Sequence, residues 1–157
     1  MFFAEPARAF ANLRTALKPS GRLAFACWRK LDENPWLQVL LRAALEHVPP
    51  LPRPGPEVPG PFFASEQRVH RILADAGFQS VILEPRDFAL DIACGGGIEE
   101  ALEAAMALGP TSRALQDQGP ETRDVVATSI RRALQPYQRG KQVELAGAIW
   151  LVTTNNA

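Results

Sequence analysis

The stretch "LDIACGGGIEEAL", Leu90 to Leu102, runs an apolar strand into Gly95, Gly96 and Gly97 and then into an acidic helix start. Glycines at such a junction let the backbone come close to a nucleotide-type cofactor at a helix N-terminus. That chemistry makes two demands: a βαβ unit around the loop, and an acid at the end of the following strand for the ribose hydroxyls. After Gly97, "IEEALEAAMALGPTSRALQDQGPETRDVVATSIRRAL" carries only helical patterning, and the next strand begins at Val143 without an acid at its C-terminal end. The three glycines are therefore expected to form a turn between a strand and helices. A self-sufficient enzyme built on this loop is the alternative that the local composition leaves open.

Other residues with chemical potential are few. His47 ends a helical stretch, where a cation suits the helix dipole, and His70 lies beside an apolar stripe of Val69, Ile72 and Leu73. Both read as surface histidines, with proton transfer during group transfer as the alternative role. Cys27 and Cys94 lie in apolar segments far apart and fit reduced, buried thiols of a cytoplasmic protein rather than a disulfide framework. With two histidines and two cysteines at these separations there is no metal-site spacing, so no metal is expected. Asp87 and Asp91 share one face of a strand, but no nucleophile or second acid completes a constellation, and solvated charge is the plain reading. Neither a phosphate loop, a G-x-S-x-G elbow nor a basic-aromatic stripe is present.

The elements that must position these residues follow from patterning. The chain has 157 residues, 46% hydrophobic and 22% charged, which suits a single globular domain over 1–157. Lys plus Arg equals Asp plus Glu at 17 each, so net charge points to neither nucleic acid nor an anionic membrane. No apolar run reaches membrane-spanning length, and the N-terminus lacks a signal-peptide pattern. A helix is expected over Glu5 to Lys18, stopped by "KPSG", where Gly21 supplies a permissive turn. "RLAFACW", Arg22 to Trp28, is then a short strand, and Asn34-Pro35 caps and opens a second helix. "PPLPRPGPEVPGP", residues 49–61, is a Pro/Gly loop, with a polyproline ligand as the other reading. Ser65 caps a third helix that Gly77 stops; "FQSVILEP" is the next strand, extended by "DFALDI" after a kink at Pro85. Three helical stretches follow at about 98–108, 111–118 and 120–136. "LAGAIWLVTT" closes the chain, apolar on both faces, which places it inside a sheet and between layers.

Taken together, "AFANLRTALKPSGRLAFACW", "ILADAGFQSVILEP" and "AIWLVTTN" resemble the late portion of class I S-adenosylmethionine-dependent methyltransferases. There an amphipathic helix and an "LKPGG" turn lead into the sheet's fifth strand; here the turn is Lys18-Pro19-Ser20-Gly21, with serine at the first glycine. The second piece is similar to the helix, "AGF" turn and sixth strand, and the third to the antiparallel seventh strand. "ENPW", Glu33 to Trp36, is similar to the start of the substrate-side insertion in small-molecule branches.

The resemblance implies an α/β chain: the C-terminal part of a Rossmann-like class I methyltransferase fold, with strands five, six and antiparallel seven and an inserted helical lid over 98–137. The family's cofactor loop and ribose acid precede the first helix, so the chain alone is expected not to bind S-adenosylmethionine, the intact family's cofactor. The implied activity is methyl transfer to a small-molecule acceptor, with stand-alone activity doubtful. The rival is a non-catalytic binding or self-assembling module. In the resembled fold Phe2 and Phe3 follow the fourth strand and Trp28 ends the fifth. With Trp36 they are the candidate acceptor-contacting aromatics, core packing being the competing role. The fifth strand has lost its neighbour, so residues 22–28 are expected to self-associate or to pair with a separate N-terminal half.

Overall fold

The computed structural model describes residues 3–50 and 65–156, so Phe2 and the greater part of the Pro/Gly loop lie outside the described residues. In chain order the elements are α1 (Pro6–Ala16), β1 (Arg22–Trp28), α2 (Pro35–Leu45), α3 (Glu66–Asp75), β2 (Ile82–Asp91), α4 (Ile98–Ala107), α5 (Gly109–Ala114), α6 (Pro120–Leu134), β3 (Gln138–Arg139) and β4 (Gln142–Asn155). The sheet runs β1-β4-β2, with the two-residue β3 paired on β4. β4 is antiparallel to β1, from Arg22 opposite Asn155 to Trp28 opposite Ile149. The last strand is thus central, as its apolar character required.

The chain divides into two compact units. The first gathers α1, β1, α3 and the adjoining parts of β2 and β4. Its core joins Phe10 of α1 and Val69, Ile72 and Leu73 of α3 to Cys27 and Val152 of the sheet. Phe10 meets Phe25 with ring centroids 5.0 Å apart. The strand period explains this: Leu23, Phe25 and Cys27 share one face with their partners Thr154, Val152 and Trp150. The other face carries Ala24 and Ala26 opposite Thr153 and Leu151, and these are exposed or half-buried. Among the described residues β4 is therefore well buried on one face of this unit, not on both.

The second unit gathers α2, α4, α5, α6, β3 and the remaining parts of β2 and β4. Its core is helical, with Leu40, Ala43 and Ala44 of α2 packed among Ala101, Leu102 and Ala105 of α4, Leu115, and Val126, Ile130 and Leu134 of α6. Both α2 and α4 pack on α5 and α6, and Gly109 sits where a Cβ would lie 3.1 Å from the Leu37 side chain.

Local structure departs from the sequence expectations at several points. β2 begins at Ile82, not at Phe78, because the α3 stop consumes the preceding residues: Gly77 takes φ +88° and Phe78 N–H returns to the Leu73 carbonyl at 2.9 Å. It then runs unbroken through Pro85, which an outermost strand tolerates because one side needs no ladder donor. In the "KPSG" turn the left-handed residue is Ser20, at φ +60°, rather than Gly21. Gly21 is required for space instead, since a Cβ there would stand 2.7 Å from the Lys18 carbonyl oxygen. The fifth helix spans Gly109–Ala114, earlier than 111–118, and the β3–β4 hairpin was not foreseen. Asn34 precedes α2 but makes no side-chain cap, whereas Ser65 does cap α3, accepting from the Arg68 N–H at 3.2 Å.

Candidate functional site

The glycine turn belongs to the second unit and is built around one carboxylate. Asp91, the last residue of β2, accepts N–H bonds from Ala93 (3.0 Å) and Val143 (2.9 Å) on Oδ1 and from Gly95 (2.8 Å) on Oδ2. The Val143 N–H foremost, with those of Ala93 and Gly95, holds its carboxyl below the usual range. Asp91 is thus the anchor of the turn and not a merely solvated charge. Gly96 N–H turns back to the Ala93 carbonyl at 2.8 Å, so the Gly95 and Gly96 N–H groups are both engaged within the turn. Gly95 at φ +78° and Gly97 at φ +98° require glycine; Gly96 is not left-handed, but a Cβ there would stand 2.6 Å from Glu100 Cγ and 3.0 Å from its Cβ. Gly97 then opens α4 directly. The turn is a strand-to-helix connection, followed by α4, α5 and α6.

Cys94 in that turn takes φ +47° and is exposed, which corrects the expectation of two buried thiols. Cys27 is buried, and burial pushes its thiol up to about 12. The two thiols therefore differ sharply in reactivity.

Beside the turn lies an apolar cavity of about 270 Å³, walled by Trp36, Leu37 and Leu40 of α2, Leu90 and Ile92 around the end of β2, and Leu108 between α4 and α5. Trp36 Nε1–H donates to Asn34 Oδ1 at 3.2 Å, and Asn34 is fully buried. That bond satisfies the ring's polar atom and leaves its apolar body for the wall. Of the other candidate aromatics, Phe3 is 46% exposed and Trp28 half-buried opposite Ile149; both belong to the first unit.

The first unit carries an ion cluster at the end of β1 that patterning did not signal. Arg29 donates to Glu33 and, at 2.8 Å, to Asp87 Oδ1, and its guanidinium lies 5.2 Å from the Trp150 ring centroid. The hydrogen bond from Arg29 is the main reason that Glu33 titrates below its ordinary value. Asp87 is thus paired, and the spacing Arg29-x-x-x-Glu33 was the one available clue. One guanidinium is shared by two carboxylates over the Trp150 ring, which makes the cluster a brace.

His70 faces Glu66 at 3.7 Å on the exposed side of α3. His47 lies near Glu46 at 3.9 Å, but the Ser129 hydroxyl donates to Glu46 at 3.1 Å, so no serine-histidine pair is formed there. Among the described residues no group of three or more His, Cys, Asp or Glu could hold a metal ion, and no helix is long and apolar enough to cross a membrane.

No family model matches the sequence, and neither does any curated protein. Among solved structures, one of a "putative methyltransferase" from Bacillus halodurans C-125 aligns with 98% of this chain at 13% identity and a TM-score of 0.43. The chain spans 64% of that protein's length.

Proposed function

We propose that this chain is the acceptor-side, C-terminal portion of a class I methyltransferase acting on a small molecule. In this reading β1, β2 and β4 are strands five, six and antiparallel seven, and the helices over 98–137 form a lid. The observation that carries the reading is the strand order β1-β4-β2 with β4 antiparallel to β1. In the resembled family the last strand inserts in that way between the fifth and sixth. Ser20 adds to it: its left-handed φ falls where the family's "LKPGG" turn has its first glycine, so the resemblance at that position has a conformational reason.

S-adenosylmethionine is then held mainly by a cofactor segment outside this sequence, and it supplies an electrophilic methyl group to a nucleophilic atom of the acceptor. The present chain contributes orientation and exclusion of water, the larger part of catalysis in such transfers. Phe2, Phe3, Trp28 and Trp36 remain the proposed acceptor-contacting aromatics. The work is cytoplasmic and needs no metal, nucleic acid or membrane. Co-expression of this chain with the DNA frame immediately upstream tests the reading. A frame encoding a strand, a G-x-G loop and a ribose-binding acid should yield a complex that binds S-adenosylmethionine. A complex of that kind which binds none would overturn the reading.

A second reading, a self-assembling module, is favoured by one feature. Among the described residues β1 is an outermost strand, and beyond Arg22 its open face carries Ala24 and Ala26 without further charge.

A further inference from the structure

We infer that the cavity beside the glycine turn is a binding site for an uncharged, largely apolar molecule of one or two rings. The shape comes first. The space of about 270 Å³ opens to the surface and matches other hollows of the described residues in size, but theirs are lined by charged side chains and this one chiefly by apolar ones. An apolar cavity of about 150 Å³ holds benzene, and drug-sized pockets begin near 300 Å³, which brackets a bicyclic ligand.

The chemistry of the wall sets the class. Leu37, Leu40, Leu90, Ile92 and Leu108 offer no hydrogen bond, and Trp36 presents a flat ring whose N–H is already engaged by Asn34. Water finds too few partners on such a wall to fill it well. Among the described residues the one charged group in the lining is Asp91, whose oxygens hold three backbone N–H groups, and its negative charge disfavours an anionic ligand. Among the described residues no cation lines the space to compensate. Cys94, exposed and held in the turn by its N–H bond to the Asp91 backbone carbonyl, stands among the lining residues and reports on occupancy.

In the methyltransferase reading this molecule is the acceptor or its apolar body, and that identification rests on the proposed function. The capacity of the cavity rests on its geometry alone. The test therefore uses the chain by itself, without cofactor. Indole is the probe, indole-3-carboxylate its anionic counterpart, and the readout is the rate of Cys94 alkylation by iodoacetamide, followed by mass spectrometry. Indole should slow alkylation at least threefold with a saturable dependence, and the carboxylate should not. Ala104→Phe, which fills the cavity, should abolish the protection. Should that variant fail to fold, Leu108→Lys decides, since Leu108 is 60% exposed and the change puts a charge on the wall. It should weaken protection severalfold. Absence of saturable protection by indole up to millimolar concentration would overturn the inference. So would protection unchanged in both variants, or equal protection by the anion. Failure of S-adenosylmethionine binding in the co-expressed complex would leave the cavity standing and remove only the word acceptor.

Discussion

Gly97 shows how much of the turn rests on single backbone conformations. At φ +98° and ψ −171° it occupies a region that side chains almost never adopt. Gly97→Ala should therefore lower stability by roughly 1–3 kcal/mol. Gly96→Ala brings a Cβ to 2.6 Å from Glu100 Cγ and 3.0 Å from its Cβ, and should cost about 1 kcal/mol, less than Gly97→Ala. Urea midpoints of the two variants check this, and the opposite order would show that the strain lies elsewhere in the turn. Neither difference is legible in a run of three identical residues. The sequence could indicate a turn at "GGG", because nothing downstream supplied a second strand and acid, but not which glycine carries the strain. Cys94 was misread for a related reason: Ile92 and Ala93 suggest burial, whereas the Asp91-centred turn reverses the chain and exposes the thiol.

At the scale of elements, strands and helices with sharp chemical punctuation were readable. Arg22–Trp28 has the bounds expected, and Pro35 opens α2 as anticipated. Where a stop overlaps the next start, as at Gly77 and Phe78, the helix terminus took residues that looked like strand. The edge of β1 carries its own prediction. If it recruits a partner strand, the isolated chain should self-associate, and a lysine on the open face should weaken that association. Phe25 is unsuitable for the purpose because it packs against Phe10. Ala24 faces outward opposite Thr153, so Ala24→Lys interferes with docking while sparing the core. Light scattering should give a particle larger than one chain for the native sequence and a shift toward monomer for the variant. A clean monomer at high micromolar concentration in both cases would mean that the edge is covered.

For the whole molecule, the order of elements was more informative than any motif. No fragment such as "L-x-P-x-G" is specific, yet a helix, strand, helix, strand and final apolar strand in sequence led to a central last strand, which the sheet possesses. The candidate site was less legible. Trp36 was singled out as an aromatic wall and does line the apolar cavity, but the remaining walls come from the end of β2 and the α4–α5 junction, whose convergence no local pattern records. The Arg29 cluster likewise depends on tertiary meeting of Asp87 and Trp150. The central claim is that this chain holds the acceptor side and lacks the means to hold the cofactor. Isothermal titration of S-adenosylmethionine into the purified chain tests that claim most directly. The account predicts no binding heat up to low-millimolar ligand, because the glycine turn leads into three helices and no ribose acid follows it. Saturable binding at micromolar concentration would contradict it and return the cofactor to Gly95, Gly96 and Gly97.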